Sequence, residues 1–176
     1  MNARVRICKG LVCTLLLILM VALPVVVHGQ TKRTFQDCIQ FVNNLPEGKA
    51  CSFATVEGDQ PHVRMLSLWF ADEKGFYFQT ESVKAFFKQM KKNNKVEICF
   101  YDPKTTVMMR VTGLVEFLDD PALKNKVLND RPYLKKVGIK GPDDPLLALF
   151  RVSSGEAWFW TFADSMKEDQ LQRIKF

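Results

Sequence analysis

Three short stretches carry the residue types that grip an anion. Arg64-Met65-Leu66-Ser67 offers a guanidinium and a hydroxyl, Gln79-Thr80 an amide and a hydroxyl, and Ser82-Val83-Lys84 a hydroxyl and an ammonium. A phosphate monoester needs hydrogen-bond donors and positive charge at one point, and a helix N-terminus adds free N–H groups and a dipole. Taken alone, Ser-x-Lys is more commonly a helix cap followed by solvated charge. The three stretches therefore matter only if the fold brings them together.

Other chemistries lack their parts. Beyond residue 29 the chain has a single histidine, His62, and three cysteines, Cys38, Cys51 and Cys99, spaced 13 and 48 apart, which matches no zinc spacing. No Gly-x-Ser-x-Gly turn presents a nucleophile and no glycine-rich phosphate loop is present. With so little acid–base equipment of its own, the protein would need a bound cofactor for demanding chemistry. The thiols sit in apolar settings and read as buried, with a Cys38–Cys51 bridge as the alternative in an oxidising compartment.

Positioning these residues requires a sheet. Thr34 caps a helix with apolar residues Phe35, Cys38, Ile39, Val42 and Leu45 at helical spacing. Residues 50–56 and 61–71 read as a hairpin, and 76–80 as a third, aromatic strand completing an antiparallel meander. Adjacency in that meander is what would bring Arg64 to the Thr80–Lys84 corner. Ser82 opens a helix with a buried stripe of Val83, Phe86, Phe87 and Met90, its lysines facing solvent. Strands at 96–101 and 106–118 follow, then a helix with Asp120 as cap and Pro121 at its first position. A short helix at 132–137, a loop at 138–145, strands at 146–152 and 156–162 and a last strand within 171–176 complete the pattern. Phe76, Phe78, Phe86 and Phe87 read as core, and Trp158 and Trp160 share one strand face.

The first 29 residues stand apart. Arg4, Arg6 and Lys9 precede an apolar run over 11–27, and Val27-His28-Gly29 places small or branched residues before a cut at Gln30. This is the layout of a secretory signal peptide, with an uncleaved membrane anchor as its rival. The chain has 176 residues and a net charge of +6. Removing the segment leaves 147 residues with 22 basic against 19 acidic side chains, a net +3 that gives no reason to propose nucleic acid. With 47% hydrophobic and 25% charged residues, disordered, collagen-like and multi-pass membrane proteins are excluded.

The order of the pieces resembles the pyridoxamine 5′-phosphate oxidase-like family of flavin-binding split barrels. The matching motifs are Arg64-Met65-Leu66-Ser67, Gln79-Thr80, Ser82-Val83-Lys84-Ala85, Asn94-Lys95-Val96-Glu97-Ile98-Cys99, and Met109-Arg110-Val111-Thr112-Gly113-Leu114-Val115-Glu116. Phe150-Arg151-Val152 and Trp158-Phe159-Trp160 resemble its closing strands. The resemblance implies a β-rich (α+β) fold, a six-stranded antiparallel split β-barrel with peripheral helices, over residues 30–176. It implies FMN, with the phosphate on Arg64, Ser82 and Lys84, and with Met65, Leu66, Ser67, Gln79 and Thr80 beside the ring. It also implies a homodimer in which Trp160 approaches the partner's flavin.

Departures from the family pattern narrow the activity. Trp69 stands where the oxidase has a Lys, Val83 where it has an Arg and Met108 where it has a Gln, and residues 162–167 lack the oxidase's Arg-x-His. The expectation is an exported FMN-dependent oxidoreductase acting on a small-molecule substrate or electron donor, and not a true pyridoxamine-phosphate oxidase. The alternatives are a flavin-free binding or interaction protein, or the same barrel holding haem or a deazaflavin. A single histidine makes haem less attractive.

Overall fold

The computed structural model describes residues 32–46 and 49–176; the segment read as an export signal lies outside the described residues. Helix α1 (Phe35–Asn43) starts where expected, and the Asp37 carboxylate accepts from both the backbone N–H and the hydroxyl of Thr34. Its buried residues Cys38, Ile39 and Val42 keep the helical spacing of the sequence. Eight strands follow: β1 (Ala50–Glu57), β2 (Gln60–Ser67), β3 (Phe70–Asp72), β4 (Gly75–Glu81), β5 (Lys95–Asp102), β6 (Val107–Leu118), β7 (Leu147–Trp160) and β8 (Ile174–Lys175). Helix α2 (Ala85–Lys92) lies between β4 and β5, and α3 (Pro121–Asp130) and α4 (Tyr133–Lys136) between β6 and β7. Asp120 caps α3 as expected, its carboxylate accepting from the N–H groups of Ala122 and Leu123.

All strand pairs are antiparallel, and the path runs β2-β1-β5-β6-β7-β4-β3 with β8 added to β7. The two edge strands, β2 and β3, are separated in sequence by only Leu68 and Trp69. The three residue steps from Ser67 to Phe70 span at most about 11 Å, so the sheet must curl until its edges nearly meet. The dipeptide makes the crossing: Leu68 N–H donates to Lys49 C=O on the β1 side, and Trp69 N–H donates to Tyr77 C=O on β4. This is a split barrel.

Three expectations are corrected. The count is eight strands rather than six. Residues 61–71 are not one strand of a meander, because consecutive burial of Leu68 and Trp69 breaks the alternation, and β2 and β4 are not neighbours. Residues 153–155 do not form a turn between two strands. They continue β7, opposite a register shift at Thr112/Leu114, with Ser154 at φ 51°. Gly155 is required there, since a Cβ would lie 1.8 Å from Thr112 O.

The barrel interior is aromatic, with Phe53, Phe76, Phe78, Phe100 and Phe150 fully buried. Strand β4 is covered on both faces: Phe76 and Phe78 point into the barrel, while Tyr77 joins a second cluster with Trp69, Val127, Leu128 and Leu134 under α3 and α4. Cys38, Cys51 and Cys99 are free thiols, so the Cys38–Cys51 bridge is not formed. Burial pushes the Cys38 and Cys51 thiols up to about 12, which leaves them inert.

Candidate functional site

Arg64 projects inward from β2, in register with Phe53 of β1. Its Nη1 donates to Thr55 Oγ1 at 2.7 Å and Phe53 O at 3.3 Å, and its Nη2 to Gln89 Oε1 at 2.9 Å. The guanidinium lies 4.6 Å from the centre of the Phe86 ring, against the first turn of α2. Sheet curvature, rather than β2–β4 adjacency, achieves this placement. Among the described residues no carboxylate lies within ion-pair distance of Arg64. Burial without a countercharge lowers its pKa.

The other two donors stand differently from expectation. Ser82 does not open the helix; α2 begins at Ala85 with Lys84 at the cap, which makes no side-chain cap bond. Ser82 is in the preceding turn, its hydroxyl donating to Pro145 O at 2.7 Å and its N–H to Leu146 O at 2.9 Å. Lys84 Nζ contacts the Glu81 carboxylate, and its side chain is 58% exposed. The start of α2 is thus an uncapped set of N–H groups beside an uncompensated guanidinium, which fits the phosphate of a mononucleotide.

A second group of residues gathers at the Leu68-Trp69 crossing. Arg131, at the C-terminal end of α3, donates to Leu68 O at 2.6 Å, to Ser67 O and Oγ, and to Gln79 Oε1. Gln79 Nε2 in turn donates to Tyr133 Oη at 3.0 Å. Ser67, Leu68, Arg131 and Tyr133, with Lys49, Trp69 and Asp130, line a cavity of about 440 Å³. Lys49 donates to Asn43 Oδ1, and burial together with the Arg131 charge lowers its pKa. A larger hollow of about 550 Å³ is walled by the single loop 138–146 and contains none of the predicted donors.

The remaining predicted residues divide by face. Met65 is exposed, Leu66 packs on the core and Thr80 is buried. Trp160 is half-buried, opposite Met108 on the sheet's outer face. Trp158, two residues earlier on that face, is buried between the Arg110 and Arg173 guanidiniums at 4.9 and 3.8 Å from its ring. Its Nε1–H has no acceptor among the described residues. Sequence reasoning missed Arg131, Thr55 and Gln89.

One acid-range transition follows from the cavity wall. Asp130 accepts from Lys126 and from Trp69 Nε1 at 2.9 Å, and these bonds lower its pKa below the usual 3.8. A depressed carboxylate contributes stability above its unfolded pKa, and this is lost as pH falls through the folded value. Trp69 fluorescence is expected to change with a midpoint below pH 3.8 and to lose that transition in Asp130→Asn. An unchanged acid titration in the variant would place the transition elsewhere.

Comparison with known proteins agrees with this fold. Residues 39–161 match the family described as Pyridoxamine 5'-phosphate oxidase. A Pyridoxine/pyridoxamine 5'-phosphate oxidase of Pseudomonas putida (strain W619) is 34% identical over 83 residues, 47% of this chain and 39% of that protein. The chain thus spans about two fifths of that relative's length. The crystal structure of a NimC/NimA family protein from Clostridium acetobutylicum superposes with a TM-score of 0.64 at 29% identity, covering 80% of this chain and 92% of that one. General Stress Protein 26 from Bacillus anthracis (strain Sterne) shares the fold, with a TM-score of 0.61 at 18% identity over 81% of this chain and 98% of its own. With the curled eight-stranded sheet and the match over residues 39–161, this chain belongs to the pyridoxamine 5′-phosphate oxidase family.

Proposed function

We propose that the chain is an exported FMN-binding oxidoreductase acting on a small molecule, and not a pyridoxamine-phosphate oxidase. The observation that carries the reading is Arg64, held against the uncapped start of α2 with no carboxylate among the described residues to cancel its charge. When bound, FMN supplies hydride or electron transfer, which the chain's own side chains cannot. Arg64 holds the phosphate, with Lys84 adding charge at the helix start. The backbone of Met65–Ser67 and the Gln79 amide border the ring. Arg131 fixes both by bonding Ser67 and Gln79 at once, and the 440 Å³ cavity that Ser67 and Arg131 line would take the substrate or electron donor. The cavity's Trp69 in place of the oxidase's Lys argues for a substrate other than pyridoxamine phosphate.

A second copy of the chain covers the sheet's outer face. Val63 and Met65 are 70% and 65% exposed there. Met65 pairs across to Ser52 and Cys99, one row from Tyr101, Met108 and Trp160. Exposed apolar side chains grouped in this way, with Ser52 and Arg110 among them, suit an association surface, and it carries Trp160 toward the partner's site in the proposed homodimer. The membrane enters only through residues 1–29, should they remain attached.

Purified protein is expected to be yellow, with an absorbance band in the blue, or to become so on adding FMN. A colourless preparation that takes up no FMN overturns the reading. That result would favour the flavin-free barrel, for which the engagement of Ser82 by Pro145 and of Lys84 by Glu81 argues. A haem or deazaflavin band would assign the barrel to that ligand instead.

A further inference from the structure

The bonds around Arg64 have a fixed direction. Glu57 can only accept and Arg64 can only donate. Gln89 Nε2 donates to Glu57 Oε2 at 3.1 Å, which turns Gln89 Oε1 toward Arg64. That oxygen accepts from Arg64 Nη2 at 2.9 Å and from Thr55 Oγ1 at 2.7 Å. Thr55 Oγ1, its proton spent on Gln89, accepts from Arg64 Nη1. Thr55 and Gln89 are buried, 1% and 5% exposed, so neither is held there by chance contact with solvent.

Two oxygens 2.7 Å apart, one on Nη1 and one on Nη2, occupy the end-on edge of the guanidinium as a carboxylate would, but without its charge. The side-on edge, Nε–H with the outer Nη2–H, is left without a partner among the described residues. That edge presents two parallel donors, the geometry that grips one phosphate or carboxylate group bidentately. The carboxylate in this chain of bonds, Glu57, is kept one amide away.

We propose that Gln89 and Thr55 are positioning residues that act as a neutral substitute for a carboxylate, aiming Arg64 at a bound phosphate while leaving its full charge available. The inference rests on the reading of Arg64 as the phosphate anchor. It goes further in assigning the selectivity for a phosphorylated ligand to the amide at position 89. A purely structural role needs only the hydrogen bonds. The proposed role also needs the negative charge to stay at position 57.

Exchanging the two groups separates these roles. The double variant Glu57→Gln/Gln89→Glu keeps the net charge and the hydrogen-bonding pattern and moves one negative charge onto Arg64. It is expected to bind FMN about tenfold or more weakly than the wild type, from cancelling one charge-assisted contact. Riboflavin, which lacks the phosphate, should bind equally well to both. Should the exchange fail to fold, Gln89→Met, uncharged and lacking the acceptor, is expected to weaken FMN but not riboflavin, and equal FMN binding there overturns the proposal. Inorganic phosphate, against chloride at matched ionic strength, should raise the melting temperature of the full-length wild type but not of the exchanged variant. A wild type that is stabilised by phosphate yet takes up no FMN removes the flavin reading and leaves the positioning role standing. An exchanged variant that binds FMN or phosphate like the wild type overturns that role, and a wild type indifferent to both probes overturns both readings.

Discussion

Replacing Arg64 by Ala is expected to weaken FMN binding about 100-fold, roughly 2.7 kcal/mol, and to leave riboflavin binding unchanged. The size follows from removing a desolvated cation that donates two bonds to an anion, a change that typically costs several kcal/mol in binding. The fold should survive. Thr55 and Gln89 still bond each other and Gln89 still bonds Glu57, so both buried side chains keep a partner, and the Phe53 carbonyl loses only its long 3.3 Å bond from Arg64. Arg64→Lys keeps the charge but loses the planar fork, and is expected to fall between the two. Titration of intrinsic and flavin fluorescence with both ligands measures the difference. Equal loss for FMN and riboflavin would mean that Arg64 shapes the ring site rather than the phosphate site, and no loss for either would remove it from the site.

Arg64 also illustrates what could be read from the sequence. Its type and its place beside Ser82-Val83-Lys84 were legible, because chemistry and linear spacing are local properties. The route by which it reaches α2 was not. A run such as 61–71 looks continuous because nothing in it is a Gly or an internal Pro. Only the burial of both Leu68 and Trp69 reveals that the chain changes edges there. Likewise Ser153-Ser154-Gly155 has turn composition, yet its glycine serves close packing against Thr112 within one long strand. Local composition cannot distinguish a turn from a bulge when the reason for the glycine lies on the neighbouring strand.

The missed partners did leave a signal. Thr55 follows Cys51 and Phe53 on the inward face of β1, and Gln89 falls with Phe86 and Met90 on the buried stripe of α2. A polar residue at an inward position on both a strand and a helix calls for a polar partner between them. Arg64, inward on β2, is that partner. Arg131 gave less warning, since a basic residue at the end of a helix is ordinarily explained by the helix dipole. Its Nη1 and Nη2 donors are instead absorbed by Ser67, Leu68 and Gln79, contacts that exist only because the barrel closes at this point.

Phe53→Ala is expected to destabilise the protein by about 4 kcal/mol, a large part of the 5–15 kcal/mol that holds a typical domain together. The ring is fully buried and meets Phe78, Phe86 and Phe150 edge-on, with centroids 5.4, 5.2 and 6.0 Å away. Removing it opens a cavity at the point where β1, β4, α2 and β7 converge, and fixed strands on several sides prevent collapse into the space. Phe162→Ala, at a side chain 84% exposed, should change stability by no more than about 0.5 kcal/mol and serves as the control. Urea denaturation gives both values. The variant links core to site, because Phe86 packs on Phe53 with one part of its ring and supports the Arg64 guanidinium with its face. Below the unfolding midpoint, Phe53→Ala should therefore bind FMN several-fold more weakly, by less than Arg64→Ala does, since the cation remains but its support loosens. A loss of stability under about 1 kcal/mol would mean that the core closes over the gap and that Phe53 does not hold these four elements in register.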